Sequence, residues 1–199
     1  MRVLVVGASG RLGRAVVEAL ADRHEVVEAS RTSAHFVDLR NPATIAGLYS
    51  SVGSVDAVAC TAGKTPYAAL SELTSDQFLE GVRDKLLGQV ELVRQGASYV
   101  SDGGSFTLVS GVLGFDPIRT GAVAATVNGG VDAFVRAAAI ELPRGLRVNA
   151  VSATVFEEAW DHYGPLFPGF KPIPIADAAR AYVKSIEGAA TGQVIRVGY

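Results

Sequence analysis

Cysteine occurs once in this 199-residue chain, at Cys60, so no disulfide can form within it and a reducing compartment suits it. Long apolar runs are missing: none approaches the roughly 20 residues that a membrane-spanning helix needs. The chain passes from Met1-Arg2 directly into a strand-like run, which leaves no space for a cleavable leader. An excess of one charge is missing as well. The 18 basic and 20 acidic side chains are scattered and leave a formal charge of -2, which offers no footing to nucleic acid or to an acidic membrane. Repeats, low-complexity tracts, linkers and a set of metal ligands are all absent. What remains is 49% hydrophobic and 19% charged, a globular balance, and the length suits one domain over residues 1–199. These exclusions predict a cytoplasmic protein that acts on a small molecule, with no nucleic-acid or membrane partner.

What is present is concentrated at the start, where residues 2–13 read RVLVVGASGRLG. Val3-Leu4-Val5-Val6 is long enough for a strand buried on both faces. Gly7, Gly10 and Gly13 follow, and Leu12, Val16, Val17 and Leu20 then recur at helical spacing. Strand, glycine turn and helix form the unit that binds a dinucleotide. Gly7 permits the tight turn, Gly10 lets the backbone approach a pyrophosphate, and Gly13 lets the helix pack close to its strand. The free N–H groups at the helix start, with Ser9, Arg11 and Leu12 around them, then face the phosphates.

Strand and helix signals alternate through the remainder, which predicts an α/β fold with a parallel sheet covered by helices on both faces. The second strand is Glu25–Ser30, and a short third spans 35–38. Asn41 caps the next helix, with Pro42 near its start. A fourth strand at 56–60 runs into Thr61-Ala62-Gly63. Thr74-Ser75-Asp76 opens a long helix with the apolar stripe Phe78, Val82, Leu86, Val90 and Val93. Asp102-Gly103-Gly104 turns into a fifth strand at 105–110. A helix rich in small residues covers 121–142, with Pro143 and Gly145 beyond its end. Strands at 146–151 and 193–197 complete the sheet. Residues 156–175, with Trp160, His162, Tyr163 and four prolines, carry too much turn chemistry for one helix and read as a lid over the sheet's carboxyl edge.

Taken in order, six pieces resemble the motif series of the short-chain dehydrogenase/reductase family over nearly the whole chain. They are GASGRLG from Gly7, Val37-Asp38-Leu39, Thr61-Ala62-Gly63, the run 106–110 with Gly111, RVNAVS from Arg147, and TGQVIRV from Thr191. The glycine spacing is similar to that of extended and atypical branches, and the remainder to the single-domain branch with a shortened C-terminal part. The resemblance implies a Rossmann-like, doubly wound, seven-stranded parallel sheet with a nicotinamide cofactor along its carboxyl edge. It implies that Asp38, beside Leu39, bonds the adenine, and that Ala62 and Gly63 border the adenosine ribose. The main chain around Ser152–Val155 would lie beside the nicotinamide, although Ala153-Thr154 replaces the family's usual proline-glycine.

The end of the second strand separates NADP from NAD. An acid there accepts the ribose hydroxyls of NAD and repels a 2′-phosphate. Ser30 holds that place, followed by Arg31, Thr32 and Ser33. A guanidinium forks onto a phosphate and the hydroxyls add hydrogen bonds, while Arg11 adds positive charge nearby. Glu28 would take the acid's part only in a shifted register. NADP is therefore favoured over NAD.

One further absence matters most. The family's chemistry uses a serine, a tyrosine about thirteen residues later and a lysine about four beyond that, the lysine lowering the tyrosine's pKa. Ser110 is in place, but positions 123 and 127 are both valine. No tyrosine lies between Tyr99 and Tyr163 and no lysine between Lys85 and Lys171, so no shift restores the pair. Where many relatives carry an asparagine that anchors a relay water, this chain has Lys85. It either supplies the cation missing at 127, beside Ser110 and the nicotinamide ribose, or is a solvent-facing lysine. Tyr163 and His162 of the lid, Tyr67 and Asp116 are the candidates for a substitute proton donor, each of which also has a structural reading. Three readings of function stand: an NADP-dependent oxidoreductase for a carbonyl, alcohol or activated alkene with a non-standard proton donor, a catalytically silent NADP-binding sensor or partner subunit, and a non-redox isomerase or cyclase. The small residues of 121–142, in a helix that relatives pair across a two-fold axis, predict a homodimer or homotetramer.

Overall fold

A computed structural model describes residues 1–199. Its strands are β1 (Arg2–Val6), β2 (Glu25–Ser30), β3 (His35–Phe36), β4 (Val55–Cys60), β5 (Val100–Val109), β6 (Arg147–Ala153) and β7 (Val194–Val197). All neighbours pair in parallel, in the order β3-β2-β1-β4-β5-β6-β7. The winding therefore reverses between β1 and β4, and that reversal opens a crevice at the carboxyl ends of the strands. The helices are α1 (Arg11–Ala21), α2 (Pro42–Val52), α3 (Ser75–Gly81), α4 (Gly88–Gly96), α5 (Ala122–Glu141), the single turn α6 (Trp160–Tyr163) and α7 (Ile175–Glu187).

Alternation along β1 divides the core. Val3 and Val5 pack with Val16 and Leu20 of α1 and with Tyr182 and Ile186 of α7. Leu4 and Val6 point the other way, into a larger cluster with Ile45 and Tyr49 of α2, Leu92 of α4 and Val131 of α5. A strand buried on both faces has no polar side to show, which is why its sequence is a continuous apolar run. α5 is long and apolar enough, by length and composition, to cross a membrane. Here it lies on the sheet, with Val123, Val127, Val131 and Val135 buried.

The structure departs from the sequence reading in four places. β3 is only two residues long, although the Val37 amide still bonds the Ser30 carbonyl. β5 starts at Val100 and contains the expected Asp102-Gly103-Gly104 turn as a bulge, since its pairing jumps from Val55↔Val100 to Ala57↔Ser105. α7 is an element that the sequence reading does not include, and its buried face repeats at helical spacing through Ala178, Ala179, Ala181, Tyr182, Ser185 and Ile186. Its anchor is Tyr182, whose hydroxyl donates to the Cys60 carbonyl at 2.7 Å. Residues 156–175 form short turns and α6, and Phe167 packs with Val112, Leu113, Ala124 and Val155 in a small cluster of their own.

The fourth departure concerns the long helix that begins at Thr74. Thr74 and Gln77 close a reciprocal cap, as the start signal requires. After α3 the helix passes through one π-helical turn, Val82–Leu87, in which the Gly88 amide reaches back to the Arg83 carbonyl. The extra residue rotates everything beyond it by about 100° relative to a regular helix. Of the expected stripe beyond the turn, Val93 is buried but Val90 is only half-buried, and Gln89, Leu92 and Gly96 join the buried face. Gln89 is fully enclosed and bridges to the sheet. Its Nε2 donates to the Lys85 carbonyl at 2.8 Å and the Val109 carbonyl at 3.0 Å, and its Oε1 accepts the Val109 amide at 2.8 Å.

Replacing that amide with an apolar isostere strands three buried backbone groups. Gln89→Leu is expected to destabilise the fold by about 2–4 kcal/mol, read as a lower urea midpoint at unchanged slope. A loss below about 0.5 kcal/mol would show that the bridge is not structural.

Candidate functional site

The crevice is built from the glycine corner outward. Gly7 turns out of β1 with φ +90°, and a Cβ there would lie 2.8 Å from the Thr61 hydroxyl oxygen and 2.9 Å from Ala62. A Cβ on Gly13 would lie 2.1 Å from the Gly7 carbonyl oxygen, so only glycine lets α1 sit this close to β1. Helix α1 opens at Gly10 with no side-chain cap and no acid in its first turn. Its first intrahelical bond is Arg14 N–H to the Gly10 carbonyl, which leaves the amides of Arg11, Leu12 and Gly13 directed at the crevice mouth.

Around this corner lies a cleft of about 210 Å³, bordered by Ser9, Gly10, Arg31, Asp38, Ala62 and Gly63, with Gly7, Ser30 and Leu39 also in its walls. Ser30 ends β2 as the register requires, since Val5 pairs with Glu28 and Val6 with Ala29. Glu28 is exposed and does not border the cleft. The Ser30 hydroxyl accepts the Thr32 and Ser33 amides at 3.1 and 3.0 Å, so the following loop curls around it and Arg31 borders the cleft. Arg11 and Thr32 lie outside the cleft wall. Asp38 reaches the cleft, but its carboxylate is held by Arg40, with Nε at 2.9 Å from one oxygen. That side-chain hydrogen bonding keeps Asp38 below the usual carboxylate range. Lys64 and Asp84, absent from the sequence reading, face the same space, and burial raises the Asp84 pKa.

At the other end Ser110 and Lys85 meet. Lys85 Nζ donates to the Ser110 carbonyl at 3.3 Å, and loss of water around the ammonium pulls its pKa down to about 8. This is the inward placement of the two that the sequence left open. The Ser110 hydroxyl turns toward α5 and donates to the Asn128 carbonyl at 3.3 Å. Val123 and Val127, at the positions of the missing pair, are fully buried, and Val123 packs on Gly81. Thr154 borders one cavity together with Ser110. The Ser152 side chain is fully buried and its hydroxyl pairs with the Tyr199 hydroxyl, because the alternation of β6 turns it toward α5.

Among the substitute donors, Tyr67 and Tyr163 border one apolar cavity with Lys85, their rings 6.2 Å apart. His162 and Asp116 are exposed and outside it. Sequence reasoning missed Asn128 and Asp132 on α5. Asn128 is buried beside this cavity, and Asp132 is half-buried near Ser110 with its pKa raised by desolvation. The available signal was a polar residue inside a small-residue helical face.

Residues 1–196 match the family described as enoyl-(acyl carrier protein) reductase. A short-chain dehydrogenase/reductase of an Acremonium species is 28% identical over 186 residues, covering 75% of this chain and 70% of that protein. An uncharacterized oxidoreductase of Mycobacterium tuberculosis is 30% identical over 184 residues, covering 79% of this chain and 68% of that one. The chain thus spans roughly two thirds of these relatives' length. Among solved structures, lin1944 of Listeria innocua is similar at a TM-score of 0.97 and 46% identity, with 99% of both chains covered. A small-chain dehydrogenase solved in complex with NADPH has a TM-score of 0.88 at 26% identity, covering 99% of this chain and 96% of that one. Sheet order, motif order and these matches agree, and the chain belongs to the short-chain dehydrogenase/reductase family.

Proposed function

We propose that the protein is an NADP(H)-dependent oxidoreductase for a small carbonyl, alcohol or activated alkene, working without the family's tyrosine and lysine. The observation that carries the cofactor reading is the uncapped start of α1 above Gly7 and Gly13, which offers free amides to a pyrophosphate where any side chain would fill the space. Ser9, Gly10 and Leu12 line its path, Ala62 and Gly63 border the ribose, and Leu39 lies at the adenine end. Asp38 would address the adenine with a carboxylate already shared with Arg40. Arg31, with Ser30 beneath it and no acid at the strand end, selects the 2′-phosphate. Thr154 lines the nicotinamide end with Ser110. The bound nicotinamide would supply the hydride, and the protein's part is to hold it, polarise the substrate and manage one proton.

A second reading has its own observation. Both positions of the usual acid–cation pair are valines packed into the core, which is what a protein that kept the cofactor and lost turnover would show. On that reading NADPH binds tightly and no carbonyl compound oxidises it.

The helices α4 and α5 favour a homodimer in a cytoplasmic setting. The outer face of α5 presents Ala137 and Ile140, the latter 87% exposed, and a partner covering them would remove apolar surface from water. Sedimentation is expected to give a dimer at micromolar concentration, and a monomer would overturn this.

Calorimetry with NADPH and NADH tests the main proposal. NADPH should bind more tightly than NADH. Arg31→Glu should weaken NADPH by about ten-fold or more while leaving NADH within about two-fold. Binding of neither dinucleotide would remove the function, and an equal loss for both would remove Arg31 as the selector.

A further inference from the structure

Lys85 stands where two cavities meet. One, of about 230 Å³, lies over the ends of the central strands and is bordered by Leu12, Thr61, Ser110 and Thr154. The other, of about 180 Å³, lies between the chain after β4, the start of α5 and the segment 156–167, walled by Tyr67, Val112, Leu113, Ala124, Tyr163 and Phe167. Lys85 borders both, and no other residue lining either carries a charge.

The fold is arranged to hold this cation in place. The π-helical turn Val82–Leu87 contains it, and such turns are rare and frequent at functional sites. Gln89 fixes the Lys85 carbonyl, and Gly63 makes room for the stem, because a Cβ there would lie 2.7 Å from Lys85 Cγ. The ammonium has three hydrogens and one protein acceptor, the Ser110 carbonyl. Two donors are left beside an apolar chamber, with no carboxylate bonded to them.

We propose that Lys85 is the proton donor of the reaction: its ammonium hydrogen-bonds to, and then protonates, the oxygen of an uncharged, ring-containing carbonyl compound seated between Tyr67, Leu113 and Tyr163. The substrate class follows from the chamber, whose walls are aromatic and aliphatic and whose single charge is spent on one oxygen. The step balances with a dihydronicotinamide as reductant. Hydride adds to the carbonyl carbon, the C=O π pair moves to oxygen, the Lys85 N–H bond breaks as the O–H bond forms, and the neutral amine takes a proton back from water. The inference rests on the proposed function only for the source of hydride.

The electrostatics suit the task. Desolvation brings Lys85 to about 8, within reach of neutral pH for an acid, whereas burial raises Tyr67 above the usual phenol value. The groups that face Lys85 are Cys60 on β4, Asp84 on its own helix and Asp132 on α5, with Tyr67 and Tyr163 across the chamber. The Lys85 ammonium is present below about 8 and lost above it, so reduction should fall as pH rises through that value.

The test reads the oxygen partner without turnover or cofactor. 4-Nitrophenol, whose phenolate is yellow, is titrated into the protein near neutral pH alongside 4-nitrotoluene, which has the same ring and no ionisable oxygen. The wild type is expected to bind the phenolate about ten-fold more tightly than 4-nitrotoluene. That margin should shrink as pH rises past about 8. Lys85→Met and Lys85→Gln should each abolish the margin while holding 4-nitrotoluene within about two-fold, which also certifies that the chamber is folded. A margin that survives in both variants, a wild type without a margin, or no binding of either probe overturns the proposal. A separate NADPH titration of the wild type keeps the two readings apart, since its failure removes the cofactor and leaves the phenolate result standing.

Discussion

The contact between the Gly7 carbonyl and the bare α-carbon of Gly13 sets the geometry of everything near the crevice. Because nothing separates them, α1 lies against β1 with its first amides over the strand's end, and Leu12 falls into the cavity beyond. The same approach lets Val16 and Leu20 reach Val3, Val5 and the partner helix α7 in one cluster. A methyl group at Gly13 would lift the helix, open the cluster and turn the amides away together. Binding geometry and core packing are therefore one constraint, imposed by one missing side chain.

At the far end the positive charge sits on a different element, Lys85 of the π-helical turn after α3. In this chain α5 presents valines where relatives present an acid and a cation, and it uses them to pack against α3 and the sheet. Positive charge arrives instead from the helix on the other side, carried by a turn that departs from regular helix geometry at Lys85. Gln89 ties that turn to the Val109 backbone by two hydrogen bonds. The strand that carries Ser110 and the helix that carries Lys85 are thus joined by a buried polar bridge whose partners are all satisfied.

The sheet could be read from the chain because its signals are local. β1 is a buried run, β2 and β6 are bounded by charge and turn residues, and the three glycines stand between a strand signal and a helix signal, as the dinucleotide-binding corner requires. α5 could be read because Pro143 and Gly145 mark its end. α7 is missing from that reading because its start, at Pro174, carries no side-chain cap and adjoins a proline-rich stretch, although its buried face is amphipathic. The phase of the helix beyond Leu86 was equally hidden, because a π-helical turn leaves no residue signature and yet shifts every later side chain. At the site the cleft-lining Gly7, Gly10, Arg31, Asp38, Ala62 and Gly63 were legible as motifs, whereas the inward faces of Asn128 and Asp132 depend on packing that no spacing encodes.

Cys60 closes β4 within the core, fully enclosed, with its thiol pushed up to about 12 by burial. At ordinary pH it is neither a thiolate nor reachable by a reagent. Any cysteine placed on the surface would thus be the sole thiol open to maleimide or nitroxide chemistry, with the native residue left in position. A dye or spin label on the segment 156–167 and another on α1 could then report the width of the crevice in solution.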